Sequence, residues 1–100
     1  MTESATISVV IPTFNRSVLL ERALQSVITQ SYSPLEVIVV DDKSTDNTPK
    51  VLNRWMEKHF FIKSIRNEES LGGGATRNRG IEKAQGKYIA LLDDDDDPGE

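Results

Sequence analysis

The chain has no cysteine. Disulfides and thiolate metal sites are therefore excluded, and the redox compartment leaves no mark on the sequence. Long apolar runs are missing as well; none approaches the ~20 residues needed to span a bilayer. A broad basic face is also lacking. The formal net charge is −4, from 12 Lys and Arg against 16 Asp and Glu. Nothing in that balance points to nucleic acid. The first residues, Met1-Thr2-Glu3-Ser4, are polar and acidic, unlike a signal peptide. There is one histidine, His59. A lone imidazole near a helix end reads as a favourable C-terminal charge rather than a catalyst. Repeats, low-complexity linkers and internal boundaries are absent too, so residues 1–100 read as one domain. At that length a domain buries about two-thirds of its unfolded surface.

What the chain does have is acid in one place. Asp93 to Asp97 with Glu100 hold six of the 16 acids and no base, which leaves residues 1–92 with 12 bases against 10 acids. The run Tyr88-Ile89-Ala90-Leu91-Leu92 comes immediately before. An apolar run of that length reads as a buried, parallel-type strand. Its carboxyl end then delivers a row of carboxylates to the edge of the core. Two unit charges ~4 Å apart repel by about 1 kcal/mol in water and about 4 kcal/mol at an effective dielectric near 20. Such a cluster either stays solvated as an acidic tail or takes a hard divalent cation such as Mg²⁺, Mn²⁺ or Ca²⁺.

The earlier chain alternates between two periods. Ile7-Ser8-Val9-Val10-Ile11 reads as a β-branched strand closed by Pro12. From Ser17, apolar residues recur at helical spacing: Leu20, Ala23, Leu24, Val27 and Ile28. Ser31-Tyr32-Ser33-Pro34 ends that helix. Glu36-Val37-Ile38-Val39-Val40 is a second strand, running into Asp41-Asp42. A second helix follows, with Thr48 as N-cap and Pro49 at the first helical position. Its apolar stripe is Val51, Leu52, Trp55 and Met56, read as core. Phe60 to Arg66 alternates weakly, as an edge strand does. Gly72-Gly73-Gly74 leads into a helix over Ala75 to Ala84 with Ile81 and Ala84 inward. Gly86 takes the left-handed position after it. The order β-α-β-α-β-α-β predicts an α/β, Rossmann-like three-layer sandwich on a mostly parallel sheet.

In such a sheet, ligands bind beyond the carboxyl ends of the strands. That edge should collect Pro12-Thr13, Asp41-Asp42, Asn67 and Asp93 to Asp95, with helix N-termini offering N–H donors. Acids, free amides, three glycines, Arg77 and Arg79 together suit a metal-bound diphosphate. Individually each piece has a plainer reading. Gly72-Gly73-Gly74 lacks both the dinucleotide fingerprint and the P-loop lysine, and could be a turn. Asp41-Asp42 could cap the next segment. Arg79 reads as a solvated helix residue.

Taken together the stretches resemble the N-terminal half of family-2 inverting glycosyltransferases, which have the GT-A fold. The resemblance lies in Ser8 to Arg16, Ser26 to Tyr32, Glu36 to Thr48, Gly72 to Ala75 with Arg77-Asn78-Arg79-Gly80, Gly86 to Ala90 and Leu92 to Asp96. It implies a nucleotide-sugar donor, a UDP-sugar in the first instance, and a divalent cation, Mn²⁺ or Mg²⁺. Pro12 and Phe14 would lie beside base and ribose. Asp42 would accept a hydrogen bond from a uracil ring N–H. Arg77 would support the nucleotide. Asp93-Asp94-Asp95 would be the Asp-x-Asp motif, with Asp95 on the metal, Asp93 near ribose or metal and Asp94 on the nucleotide side. Five consecutive aspartates leave the register open by one residue, so Asp96 or Asp97 could substitute. The acceptor-side general base of an inverting transfer would lie beyond Glu100, and no catalytic residue is assigned here. The resemblance also implies polysaccharide biosynthesis in the cytoplasm or at the cytoplasmic face of a membrane, with a membrane-associated parent protein left open.

Two other classes fit parts of the sequence. One is a non-catalytic α/β module that binds a divalent cation or a protein partner. The other is a fragment that self-associates through an exposed sheet edge, giving a homo-oligomer. A phosphoacceptor receiver domain would need an acidic pair after the first strand, where Pro12-Thr13 stands.

Overall fold

A computed structural model of the chain describes residues 6–29, 34 and 36–93. Expectations for Met1 to Ser4, Ser31 to Ser33, Asp94 to Asp97 and Glu100 lie outside the described residues. The β-branched runs form strands and the helical stripes form helices, in strict alternation: β1 (Ile7–Thr13), α1 (Ser17–Ile28), β2 (Glu36–Asp41), α2 (Thr48–Lys58), β3 (Ile62–Arg66), α3 (Gly73–Lys83) and β4 (Tyr88–Leu91). The strands make one parallel sheet in the order β3-β2-β1-β4. The chain steps outward from β1 to β3, then returns to the far flank of β1. That reversal puts a switch point between β1 and β4, where an α/β sheet opens a crevice. No helix among the described residues is long and apolar enough to cross a membrane.

The period of two along β1 and β2 sorts their side chains onto two faces. Val9 and Ile11 lie beside Val37 and Val39 in register. They pack with Leu20, Leu24 and Val27 of α1 and Val51 and Leu52 of α2. Each such side chain contributes about 1.5–3 kcal/mol when fully buried. Val10 and Val40 point the other way, toward α3. A Cβ on Gly80 would collide with Val10 Cγ1 and come within 3.0 Å of Val40 Cγ2. Glycine at that one position lets α3 lie directly on the sheet.

Several expectations need correction. β4 is not a buried strand: Tyr88 is 54% exposed and Leu91 52%. It pairs only with β1, so among the described residues nothing covers its outer flank. Pro12 does not end β1, which runs on to Thr13. Leu92 N–H donates to Val10 O at 3.0 Å on one side, and Asp42 N–H to Thr13 O at 2.9 Å on the other. Pro12 therefore faces the flank where the β4 ladder has already finished, and its missing N–H costs no bond. Thr48 is the first helical residue rather than the cap. Its N–H and hydroxyl both donate to Asp46 Oδ1, at 3.0 and 2.6 Å. β3 starts at Ile62, not Phe60, and α3 at Gly73, not Ala75, with Thr76 and Gly80 as its buried face. Gly86 has no positive φ. Its role is close approach, because a Cβ there would lie 2.8 Å from Ser8 N.

Other expectations agree with the structure. β3 is an edge strand, and Trp55 and Met56 pack half-buried against the core. His59 caps α2 and stacks on Trp55 with ring centroids 5.5 Å apart. At the amino edge of the sheet, Glu36 is buried within what had read as an apolar run. It accepts from Ser8 Oγ, Gln85 N–H and Lys63 Nζ at 2.7–2.9 Å. Burial pushes its pKa up, but the hydrogen bonds from Gln85, Ser8 and Lys63 outweigh that and hold it below the usual value.

Candidate functional site

Parallel strands deliver all their carboxyl ends to one rim, and an open cleft of about 400 Å³ lies there. Pro12, Thr13, Phe14 and Arg16 line it from the end of β1. Asp42 follows β2, and Asp93 comes from beyond β4. Ser70, Gly72, Gly73, Thr76 and Arg77 form the wall made by the start of α3. The cleft thus sits at the switch point between β1 and β4. Of the residues assigned from sequence, Pro12, Phe14, Asp42, Arg77 and Asp93 are together in it. Asp94 and Asp95 lie outside the described residues.

Asp41 and Asp42, adjacent in sequence, part company at the strand end. Asp41 accepts from Arg66 Nη1 at 2.8 Å and from Ser44 N–H at 2.9 Å. It serves the neighbouring loop and does not line the cleft. Asp42 turns toward α3 and is only 5% exposed. Its Oδ1 accepts from Asn67 Nδ2 at 2.8 Å and Leu71 N–H at 2.7 Å. Its Oδ2 accepts from Ser70 Oγ and Gly72 N–H, both at 3.0 Å. A carboxylate offers about four acceptor sites, so this one is filled by its own chain. Burial pushes the pKa of Asp42 up, but the bonds from Leu71, Asn67, Gly72 and Ser70 prevail and hold it down to about 2.

Gly72 adopts φ +87°, a conformation L side chains rarely take. That turn aims the amino end of α3 at the cleft, where the first N–H groups of a helix lack intrahelical partners and favour anions. The loop that carries Phe14 is held from the other side through Asn15. Asn15, at φ 52°, receives Thr45 N–H at 2.7 Å and Asp46 N–H at 3.3 Å on its Oδ1. Its own N–H donates to Ser44 Oγ at 2.9 Å. The loops after β1 and β2 are thereby tied together. Asp46 also accepts from Ser17 N–H at 3.3 Å. Burial raises its pKa, and the bonds from Thr48 and Ser17 lower it by more.

Arg77 and Asp93 face each other across the mouth, Nη2 to Oδ1 3.9 Å, with side chains 39% and 45% exposed. A half-exposed pair at that distance contributes about 0–1 kcal/mol, so both groups are available to a ligand. Among the described residues no three acidic or imidazole groups converge as a metal cage. Mg²⁺-type ions usually take one or two carboxylates and complete their shell with substrate phosphates and water. Asp93, the described member of the acidic run, fits one place in that donor set.

Comparison with known proteins agrees with this geometry. The family model for "Glycosyl transferase family 2" matches residues 8–98. The chain belongs to glycosyl transferase family 2. It is 40% identical over 92 residues to a Campylobacter jejuni GalNAc(5)-diNAcBac-PP-undecaprenol beta-1,3-glucosyltransferase, covering 91% of this chain and 30% of that protein. Among solved structures it resembles the mannosyltransferase PcManGT from Pyrobaculum calidifontis in complex with GDP-Man and Mn²⁺. That match has a TM-score of 0.83 and 32% identity, over 94% of this chain and 28% of the other. It also resembles S. aureus TarS 1-349 in complex with UDP-GlcNAc, at TM-score 0.81 and 32% identity, covering 90% and 26% of the two chains. This family-2 chain therefore has the α/β architecture of the GT-A glycosyltransferases, and it spans about a third or less of the length of the curated relatives it matches.

Sequence reasoning missed part of the cleft and of the hydrogen-bond network behind it. Arg79 is not a solvated helix residue; its Nη1 donates to Asn67 Oδ1 at 2.6 Å. Asn67 is fully buried and also donates to Thr76 Oγ1 at 3.1 Å. Ser70, Thr76, Thr13 and Arg16 line the cleft without having been assigned a role. The signal for Asn67 was its place at the end of β3, the rim where ligands collect.

Proposed function

We propose that this chain is the donor-binding part of a metal-dependent glycosyltransferase that transfers a sugar from a nucleoside-diphosphate sugar to an acceptor. The observation that carries the reading is the meeting of Pro12, Phe14, Asp42, Arg77 and Asp93 in one cleft, from four segments far apart in sequence. Relatives solved with UDP-GlcNAc and with GDP-Man and Mn²⁺ support a nucleotide-sugar ligand. In this reading Pro12 and Phe14 flank base and ribose, with uridine the favoured base. The amino end of α3 and Arg77 receive the diphosphate. Asp93 and Asp95 would hold a divalent cation, and Asp94 would serve the nucleotide. When bound, that cation supplies positive charge against the diphosphate leaving group. Asp93 faces Arg77 across the mouth, Arg77 Nη2 to Asp93 Oδ1 3.9 Å, so a cation held by Asp93 would offset the repulsion between that carboxylate and a diphosphate. The general base of an inverting transfer is not assigned to any residue of this sequence. A cytoplasmic site of action and an acceptor in polysaccharide synthesis belong to the same proposal.

Calorimetric titration with UDP, with and without Mn²⁺, tests it. Binding should require Mn²⁺, disappear with a chelator, and be lost in Asp95→Ala and strongly weakened in Asp93→Ala. Absence of binding at millimolar UDP, or cation binding indifferent to UDP, would overturn the donor-site reading. The second result would point to a cation-binding module instead.

A further inference from the structure

β4 is the least supported strand of the sheet, yet the chain leaves it directly into the cleft at Asp93. It has four residues, pairs only with β1 and is exposed along most of its length. Burial therefore specifies its register only weakly, and a weakly specified strand slips. What holds it lies at the opposite rim, where the chain enters the strand. Gln85 N–H donates to Glu36 Oε2 at 2.7 Å and Gly86 N–H to Ser8 Oγ at 2.8 Å. Lys87 N–H donates to Thr6 Oγ1 and Tyr88 N–H to Thr6 O, both at 2.9 Å. Four consecutive amides are thus engaged as the strand begins. Ser8 and Glu36 are linked in turn: Ser8 Oγ donates to Glu36 Oε2 at 2.7 Å, and Lys63 Nζ of β3 holds Glu36 Oε1 at 2.9 Å. One buried carboxylate at the start of β2 thereby ties β1, β3 and the entry to β4 together. Gly86 permits this approach, since a Cβ there would meet Ser8 Oγ at 2.7 Å.

We infer that Glu36 and Ser8 are positioning residues: together they lock the entry to β4 and so set the register that delivers Asp93 to the cleft. A slip of one residue along β1 would move Asp93 by ~3.3 Å and turn every β4 side chain to the other face. Either change would separate Asp93 from Arg77, its neighbour 3.9 Å away across the mouth. Neither Glu36 nor Ser8 lines the cleft, so both act through Asp93. The lock is a property of the free chain; its consequence for a ligand rests on the donor-site reading.

Two measurements on the full chain decide it, with three variants. Glu36→Gln keeps the shape of the side chain but turns an NH₂ toward groups that themselves donate. Ser8→Ala removes the link between Glu36 and Gly86 with little change in volume, and it suffices alone should Glu36→Gln not fold. Val51→Ala thins the core beside α2 and is the control for lost stability. The first measurement needs no ligand. Nuclear Overhauser contacts between the backbones of Val9 and Ala90 report β4 in register, and those between Val9 and Val37 report the central pair. In folded Glu36→Gln and Ser8→Ala the Val9–Ala90 contacts should weaken by about twofold or more while Val9–Val37 persists; Val51→Ala should keep both. The second is UDP affinity in the presence of Mn²⁺. It should fall about tenfold in Glu36→Gln, by less in Ser8→Ala and not at all in Val51→Ala. Val9–Ala90 contacts as strong as in the parent would overturn the lock. Unchanged UDP affinity in both variants, or an equal loss in Val51→Ala, would overturn the positioning role. If the parent chain binds no UDP with Mn²⁺, the donor-site reading falls and the positioning role with it, while the backbone contacts still decide the lock.

Discussion

Acid should weaken the fold through Asp42 in a window that can be calculated. The ordinary carboxyl value is 3.8, and in the folded chain it is held down to about 2. A pKa lowered by folding means that the unfolded chain takes up its proton first as pH falls. The stabilisation is therefore complete above about pH 5 and is lost as pH falls from 3.8 through 2. At ~1.4 kcal/mol per pH unit, the gap between 3.8 and about 2 amounts to about 2 kcal/mol. About half of that should remain near pH 3, and most should be gone at pH 2. Asp42 is only 5% exposed, so solvent screening takes little from the figure. Glu36 and Asp46 titrate in the same direction, so the parent chain alone cannot isolate the effect. Urea denaturation of the parent and of Asp42→Asn, at pH 7, 5, 3 and 2, can. The stability difference between them should be constant from pH 7 to 5 and then narrow by about 2 kcal/mol. Glu36 and Asp46 are present in both chains and cancel. A difference that stays flat to pH 2 would refute the reading of Asp42 as an ionised carboxylate held by its four donors.

Two further perturbations test the elements that carry the site. Gly80→Ala adds a methyl group against Val10 Cγ1 and Val40 Cγ2. Overpacking of about 1–3 kcal/mol should exceed the ~1 kcal/mol gain in helix propensity, so thermal unfolding should come several degrees lower; an unchanged or higher midpoint would contradict the close contact of α3 with the sheet. Arg79→Met keeps the aliphatic stem but leaves the buried Asn67 Oδ1 without its donor, at about 1–3 kcal/mol; a loss below about 0.5 kcal/mol in urea would return Arg79 to the solvated face.

The parts of the fold legible in the sequence were those with a local cause. β1 and β2 are β-branched runs whose alternate residues face two covered sides, and helices α1 and α2 show their stripes at helical spacing. β4 misled because an apolar run reports that cover is wanted, not where it comes from. Tyr88, Ile89 and Leu91 have that composition and are exposed among the described residues. Gly86 misled for a related reason. A glycine after a helix suits a left-handed turn, but here the constraint is the backbone of Ser8, nearly 80 residues earlier. Arg79 and Asn67 could not be paired from sequence, because their partnership depends on how far α3 slides along β1 and β2.

The site follows from topology more than from any motif. A parallel sheet brings Thr13, Asp41 and Arg66 to one rim, and the reversal of chain order opens that rim between β1 and β4. Charge alone would not have chosen this place. Asp41 and Asp42 are chemically equivalent neighbours, yet the strand's period of two sends one to Arg66 and the other to the turn before α3. The chemistry of the cleft is then set by where α3 lies. Gly80 lets it contact Val10 and Val40, and Gly72 turns its first amides into the mouth. Shifting α3 outward by a methyl group would move those amides relative to Pro12 and Phe14 without altering any residue that lines the cleft. Gly80→Ala should therefore weaken pyrophosphate and UDP binding together with stability, whereas a substitution confined to the cleft lining should change binding alone.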